Sequence, residues 1–271
     1  MLRAGLITPE ATRARQPFAR FEAPAPNDLW QMDFKGDFTV GESPGARCYP
    51  LTVLDDHSRF LVGLTACPNQ RTATVQTALT ALFAQVGLPQ RLMVDNGPPW
   101  GDTFEQPHTQ LTVWLLKLGV LVSHGRPYRP QTRGKIERLH RTLGDDARRE
   151  ERFASLAHVQ GWFDGFRHEY NHIRPHGALG HRPPSSRFAV SPRALPMTLP
   201  ELEPPSVAIV RRVWQPGRVS YAARQLLIGR AFVGERIGLI ADDDQHLSVW
   251  LGPHRIGHLD LNESRPKLNA R

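Results

Sequence analysis

Three acidic residues occupy positions where carboxylates could do chemistry. Asp33 lies inside an apolar, strand-like stretch, Asp95 follows the apolar run 92–94, and Glu137 lies near the start of a helical segment. A carboxylate inside a strand costs free energy unless it is paired or binds a cation. Three converging carboxylates would suit a hard divalent cation such as Mg²⁺ or Mn²⁺. Two such ions about 4 Å apart can activate a nucleophile and stabilise the leaving oxygen of a phosphodiester.

Each acid also has a purely structural interpretation. Asp33 could be a polar residue of an edge strand, and Asp95 could form a turn before Asn96 and Gly97. Glu137 could pair with Arg141 one helical turn later. Taken singly, the residues favour these interpretations, whereas the three together with their flanking motifs favour the metal site.

The elements around the acids predict an α/β domain. Three consecutive strands with short turns indicate an antiparallel meander, and later strands alternate with segments of helical spacing. The predicted strands are 29–40, 49–54, 59–66, 91–94 and 120–123, and the predicted helices are 72–86, 109–118, 134–150 and 155–170. We expect a mixed sheet with helices packed on its faces.

The chain divides into five predicted regions. Tightly spaced short strands with Gly, Pro and Asp turns after the core indicate a small β-barrel of the SH3 or OB type, which could bind DNA or mediate multimers. The regions are an N-terminal remnant or linker at 1–26, a catalytic core at 27–182, a proline-rich linker at 183–206, the barrel at 207–261 and a tail at 262–271.

Composition narrows the class of protein. The 271 residues include 34 Lys and Arg against 26 Asp and Glu, giving a net charge of +8, which favours an anionic partner such as nucleic acid. Two cysteines exclude a disulfide scaffold and the usual four-ligand zinc knuckle. No apolar run approaches the roughly 18 residues of a membrane span. We therefore expect a cytoplasmic protein without a membrane partner.

Four motifs, in order, resemble the integrase-core transposases of bacterial insertion sequences, which are relatives of retroviral integrases. The resemblance covers about residues 25–190. The motifs are Trp30-Gln31-Met32-Asp33-Phe34, Val94-Asp95-Asn96-Gly97, the stretch Pro127 to Arg138, and Tyr170-Asn171-His172-Ile173-Arg174-Pro175-His176. The interval from Asp95 to Glu137 is longer than the commonest spacing in that family, with the surplus around 99–110.

The resemblance implies an RNase H-like fold and an acid triad of Asp33, Asp95 and Glu137. It implies DNA end cleavage followed by strand transfer on two Mg²⁺ ions, with Mn²⁺ as a substitute, and a homo-oligomer on double-stranded DNA at the element ends and the target. It implies a place on the bacterial nucleoid. Family members carry an upstream helix-turn-helix segment, which we expect this chain to lack. The alternative is an idle, truncated transposase that only binds DNA.

A basic segment around Glu137 is the predicted DNA contact, because its cations could hold phosphates beside the metal ions. A solvated basic face is the alternative, and Tyr128 could either stack on a base or pack within its loop. The predicted DNA-binding residues are Arg126, Tyr128, Arg129, Arg133, Lys135, Arg138 and Arg141.

Other polar residues receive weaker assignments. Asp55 and Asp56 lie in a turn between two strands and could reach a metal, but the resemblance leaves them outside the triad. The motif 174–176 either fixes the last helix of the core or contacts DNA. Four histidines could shuttle protons or contact phosphate, but a structural hydrogen bond is the expected role and none is assigned to catalysis; they are His57, His124, His140 and His176.

Overall fold

The computed structural model describes residues 22–41, 43, 45–95, 97–101, 108–124, 134–147 and 152–269. Of the predicted N-terminal remnant at 1–26, residues 1–21 therefore lie outside the described residues. The core contains six strands and four α-helices in this part of the chain. They are β1 Trp30–Phe34, β2 Phe38–Thr39, β3 Arg47–Asp55, β4 Leu61–Cys67, α1 Thr72–Val86, β5 Arg91–Val94, α2 Gln110–Lys117, β6 Leu121–His124, α3 Gly134–Ala147 and α4 Leu156–His172.

The core strands form one mixed sheet. Its order is β4-β3-β1-β5-β6, and β2 pairs with the beginning of β3 beyond the end of β1. Strands β1, β3 and β4 pair antiparallel, as the predicted meander requires. Strands β5 and β6 add parallel to β1. The expected mixed sheet with flanking helices is thereby confirmed.

Alternation along β1 decides which of its side chains face each helical layer. Trp30 and Met32 belong to the apolar core that also contains Val75 and Leu79 of α1. Successive side chains of a strand point to opposite faces. The side chain of Asp33 therefore points to the other face, which α3 and α4 cover with a separate apolar core.

The proline-rich segment 183–206 contacts the surface of the core around Ser191 and Arg193. The Ser191 amide donates to the Val86 carbonyl at 2.9 Å, at the end of α1. The Arg193 guanidinium donates to the carbonyls of Leu118 and Gly119, just after α2. These contacts attach the segment to the ends of two helices, as a strap that we call the 183–206 strap.

The C-terminal region is a small β-domain of antiparallel strands, as predicted, whereas closure of these strands into an SH3- or OB-type barrel stays a prediction. Its strands form a four-stranded antiparallel sheet of order β12-β11-β10-β7 and a two-stranded hairpin, β8 with β9, around one apolar core. The strands are β7 Ile209–Arg212, β8 Arg218–Tyr221, β9 Arg224–Leu227, β10 Arg236–Ala241, β11 His246–Leu251 and β12 His254–Asp260.

The β-domain packs directly on α2 of the core. Val113 and Leu116 of α2 are part of the same buried cluster as the β-domain interior. Beside them, the Lys117 ammonium lies 2.9 Å from Glu235 Oε1.

Among the described residues, no helix is long and apolar enough to cross a membrane.

Candidate active site

Two of the predicted acids lie at neighbouring strand ends. In the parallel β1–β5 ladder, Trp30 is opposite Leu92 and Gln31 is opposite Met93. Continuing that register by two residues places Asp33 beside Asp95, and neighbouring strands lie about 4.8 Å apart. Because alternate residues of a strand share a face, Asp33 belongs to the face that α3 covers, and Asp95 directly follows the end of the neighbouring β5. The sheet therefore brings Asp33 and Asp95 together.

The third acid reaches the same face from α3. This helix buries Ile136, Leu139 and Leu143, whereas Glu137 in its first turn is exposed. Ile136 lines a small cavity together with Asp33 and Met93, so the first turn of α3 lies directly over the two strand ends.

Helical spacing shows which way Glu137 faces. At 100° per residue, Gly144 lies on the same side of α3 as Glu137, two turns later. Lys35, just beyond β1, lies so close to Gly144 that its ammonium nitrogen would be 3.1 Å from a Cβ added there. Glu137 therefore lies on the side of the helix that faces the carboxyl end of β1.

The donor chemistry of the three acids fits a hard divalent cation, since all three supply carboxylate oxygens. Within the described part of the chain, however, no group of three His, Cys, Asp or Glu side chains is close enough to hold a metal ion. The strand register thus places the backbones of Asp33 and Asp95 next to each other, beneath the helical turn that carries Glu137.

A polar chain links Asp33 to α3 through the neighbouring strand. Thr52 is opposite Asp33 in the β1–β3 ladder, and its hydroxyl donates to the Asp33 carbonyl at 2.8 Å. His140 Nε2 lies 2.8 Å from the same hydroxyl oxygen. Because that hydroxyl has only one proton, Nε2 must be the donor to it. Burial, helped by the charge of Lys35, lowers the pKa of His140 to about 4, so the ring is neutral near pH 7.

Asp55 and Asp56 are structural. Both are fully buried, and they lie at the opposite end of β1 from Asp33, since Asp55 pairs with Trp30. The Asp55 carboxylate accepts from the amides of Asn27 and Ser58, at 2.8 and 2.7 Å. The Asp56 carboxylate accepts from the Ala23 amide at 2.7 Å and is paired with Lys135 at 2.6 Å.

The predicted DNA-binding residues separate into different environments. Lys135 is directed to Asp56 and its side chain is only 15% exposed. Arg138 is exposed, and its charge acts on the pKa values of Tyr170 and His176, which places it on the α4 side of the helix. Arg141 is exposed one turn after Glu137. The other four, Arg126, Tyr128, Arg129 and Arg133, lie outside the described residues.

The remaining polar residues hold elements together. Arg174 Nη2 lies 2.8 Å from Asp146 Oδ2, which ties the end of α4 to the end of α3 and favours the structural role of that motif. His57 Nδ1 lies 2.8 Å from the Ala23 carbonyl, and His124 Nδ1 lies 2.9 Å from the Asp95 carbonyl. Both ring nitrogens must donate, because a carbonyl only accepts.

A cavity of about 510 Å³ opens beside the acids, beyond the carboxyl end of β1. Its wall is largely apolar, with Phe38, Leu143 and Phe153 among its residues, and Lys35 and Arg152 supply the cations. The acids do not line this cavity, so it does not define the candidate site.

Sequence reasoning did not assign roles to Thr52 or to the pair of Lys135 with Asp56. Two signals in the sequence were available. Thr52 is a hydroxyl residue inside the apolar run 51–54, and Asp56 is the second residue of an aspartate pair and had no assigned partner.

Family comparisons match the two parts of the chain separately. Two models described as "Integrase core domain" match residues 23–130 and 118–184. A third, described as "IS481 family transposase, C-terminal domain", matches residues 208–267.

Individual relatives come from bacterial insertion elements. The chain is 31% identical over 170 residues to an uncharacterized 31.7 kDa protein of insertion element IS407 from Burkholderia multivorans, covering 63% of this chain and 58% of that protein. It is 30% identical over 168 residues to an uncharacterized 39.2 kDa protein of insertion element IS476 from Xanthomonas euvesicatoria, covering 62% of this chain and 46% of that protein. The chain thus spans about half the length of these relatives.

A solved structure shares the fold. A chain of the simian T-cell lymphotropic virus intasome, solved in complex with PP2A regulatory subunit B56 gamma, has a TM-score of 0.50 and 16% identity, covering 93% of this chain and 81% of that chain. The predicted RNase H-like core is confirmed by this fold and by the sheet order.

Proposed function

The chain belongs to the integrase-core family, and from that premise we propose that it is a DNA transposase of an insertion sequence. The observation that supports the proposal is the parallel pairing of β1 with β5 beneath the first turn of α3, since that register continues towards Asp33 and Asp95 and that turn carries Glu137. The relatives from two bacterial insertion elements also support DNA as the proposed substrate.

Asp33, Asp95 and Glu137 are the residues that would hold divalent cations, Mg²⁺ or Mn²⁺ in its place. When bound, such ions lower the pKa of water and offset charge that develops on a phosphodiester. Glu137 is exposed in the first turn of its helix, so its side chain has room to turn towards the strand ends. Thr52 and His140 hold the Asp33 backbone and α3 in a fixed relation while it does so.

The proposed reaction has two steps and no covalent enzyme intermediate. Water attacks the phosphodiester at the element end, the P–O bond breaks, and the 3′ oxygen leaves as a 3′-OH. That hydroxyl then attacks a phosphodiester of target DNA and displaces a second 3′ oxygen. In each step, the same three carboxylates would act at a single phosphorus atom. Two neighbouring strand ends with a helix above them suit that requirement.

Binding of DNA is proposed to use the exposed arginines of α3 and the net charge of +8. Arg141 lies one turn beyond Glu137, which suits a phosphate close to the acids, whereas Arg138 lies on the α4 side of the helix. Since two element ends must meet one target, we propose a homo-oligomer assembled on DNA in the bacterial cytoplasm.

A second candidate is a protein of the same fold that binds DNA without cutting it. The observation that favours it is that the exposed Arg138 and Arg141 and the net charge of +8 would serve DNA binding whether or not the acids hold metal ions. Plasmid nicking combined with end joining separates the candidates. A transposase joins an oligonucleotide 3′-OH to plasmid in Mn²⁺, a simple nuclease only nicks, and an idle binder shifts the DNA without either product.

A further inference from the structure

The first turn of α3 carries a buried ion pair that the proposed reaction does not use. The Lys135 ammonium lies 2.6 Å from Asp56 Oδ1 and 3.3 Å from the Asp56 carbonyl oxygen. The Lys135 side chain is 15% exposed and the Asp56 side chain is fully buried. Asp56 also accepts a hydrogen bond from the Gln31 side-chain amide at 2.7 Å.

The pair joins the two elements that carry the candidate acids. Asp56 is attached to the start of β1, because its amide donates to the Leu29 carbonyl at 2.9 Å. Lys135 lies two residues before Glu137 in the first turn of α3. The ion pair therefore connects the turn that carries Glu137 to the strand that carries Asp33.

A second tether follows five residues after the first. His140 is held by Thr52, which is itself bonded to the Asp33 carbonyl. Glu137 thus lies between Lys135 and His140, the two residues through which α3 is attached to the sheet. A buried ion pair adds little stability over an apolar pair of similar shape, but it is costly to break, so it fixes the relative position of the backbones that carry it.

We propose that Lys135 is a positioning residue, which through Asp56 fixes the first turn of α3 so that Glu137 faces Asp33 and Asp95. This role rests on the proposed function, since it gives Lys135 importance only if Glu137 is a metal ligand. It differs from the phosphate contact predicted from the sequence, which would require the ammonium to be accessible to DNA. Lys135 does not touch the reacting atoms in this role.

The test uses Lys135→Met alone and combined with Asp56→Asn, so that one variant removes both charges together. Lys117→Met is the matched control, because Lys117 is 16% exposed and paired with Glu235 at 2.9 Å, far from the acids. Four quantities are measured: Mn²⁺ affinity by titration calorimetry, amide hydrogen exchange across 134–140, DNA affinity at several salt concentrations, and the Tm.

We expect both Lys135 variants to bind Mn²⁺ about 10- to 100-fold more weakly, the range seen when residues that orient metal ligands are removed. Exchange across 134–140 should accelerate, while the salt dependence of DNA binding stays as in the native protein. Lys117→Met should lower the Tm without changing Mn²⁺ affinity. Asp56→Asn added to Lys135→Met should restore part of the Tm but none of the Mn²⁺ affinity.

Two results would overturn the positioning role. Unchanged Mn²⁺ affinity with weaker DNA binding and a salt slope reduced by about 1 would make Lys135 a phosphate contact. Equal loss of Mn²⁺ affinity in Lys117→Met would make the effect general destabilisation. The proposed function fails separately, if Glu137→Gln binds Mn²⁺ as the native protein does, whatever the Lys135 variants show.

Discussion

Thr52 joins Asp33 to the helix that carries the third acid. It lies opposite Asp33 in the β1–β3 ladder, donates its only proton to the Asp33 carbonyl at 2.8 Å, and accepts from His140. The hydrogen bond uses the backbone of Asp33 and leaves its carboxylate to other partners. The Thr52 hydroxyl thus fixes the distance between α3 and the end of β1.

Removing that hydroxyl should weaken the attachment of α3 to the sheet without creating a cavity in the apolar core. Thr52→Val keeps the shape of the side chain but leaves the His140 N–H buried without its acceptor, which costs about 1–3 kcal/mol. We expect a lower free energy of unfolding in urea and weaker Mn²⁺ binding. Thr80→Val is the control, since Thr80 is exposed on α1 and bonds only its own helix, at the Gln76 carbonyl. Equal losses in the two variants would contradict the assignment.

His140 should make the fold acid-sensitive. Its pKa in the folded protein is about 4, against 6.5 for an unperturbed histidine, so below pH 6.5 the unfolded chain binds the additional proton. The stabilisation is therefore complete above about pH 6.5 and is lost as the pH falls towards 4, by roughly 3 kcal/mol in total. His140→Gln keeps a donor near Thr52 but cannot titrate. Urea unfolding between pH 7.5 and 4.5 should fall less steeply for the variant, and parallel curves would contradict this.

The 183–206 strap should be sensitive to a methyl group at Gly87. This residue has a φ of +76°, and a Cβ there would lie 2.6 Å from the Ser191 carbonyl oxygen and 2.8 Å from that of Arg193. Gly87→Ala should cost more than the roughly 1–3 kcal/mol of backbone strain alone, and should expose the strap to proteolysis. Gly36→Ala is the control, because Gly36 has a φ of +51° with no atom within 4 Å of the added carbon. Similar protease sensitivity in both would contradict a strap fixed at this point.

Much of the fold follows from local patterns. Continuous β-branched and apolar runs located β3 and β4, and the spacing of Val75, Leu79 and Leu82 located α1, because these signals depend only on neighbouring residues. The order in which the strands pair depends on contacts between distant segments. The Pro content of 183–206 predicted an irregular segment correctly, but could not show that it is attached to the ends of α1 and α2.

The site was predictable in part for the same reason. Asp33 stood out because a carboxylate in an apolar strand needs an explanation, and Asp95 followed because strand ends collect functional residues. Lys135 was placed with the DNA-binding cations because it belongs to the dense basic segment around Glu137. Asp56 lies 79 positions away in sequence, and only the folded chain brings it to the ammonium. Burial of a long-range ion pair leaves no periodic signal.

The three acids should be needed for chemistry but not for folding. Asp33→Asn, Asp95→Asn and Glu137→Gln each keep the side-chain volume and remove a charge. We expect each to abolish DNA cutting, with DNA affinity and Tm near those of the native protein. Gel shift and thermal melting of the three purified variants check this. Joint loss of folding and DNA binding would count against a metal role for the residue concerned.

The most direct measurement is Mn²⁺-dependent strand transfer by the native chain and by its Glu137→Gln variant, on DNA that flanks its own gene. Joined product from the native chain and none from the variant, at equal DNA binding, is the predicted result. Joined product from both would remove Glu137 from the catalytic set. DNA binding by both without product from either would contradict the transposase assignment and leave a protein that binds DNA without cutting it.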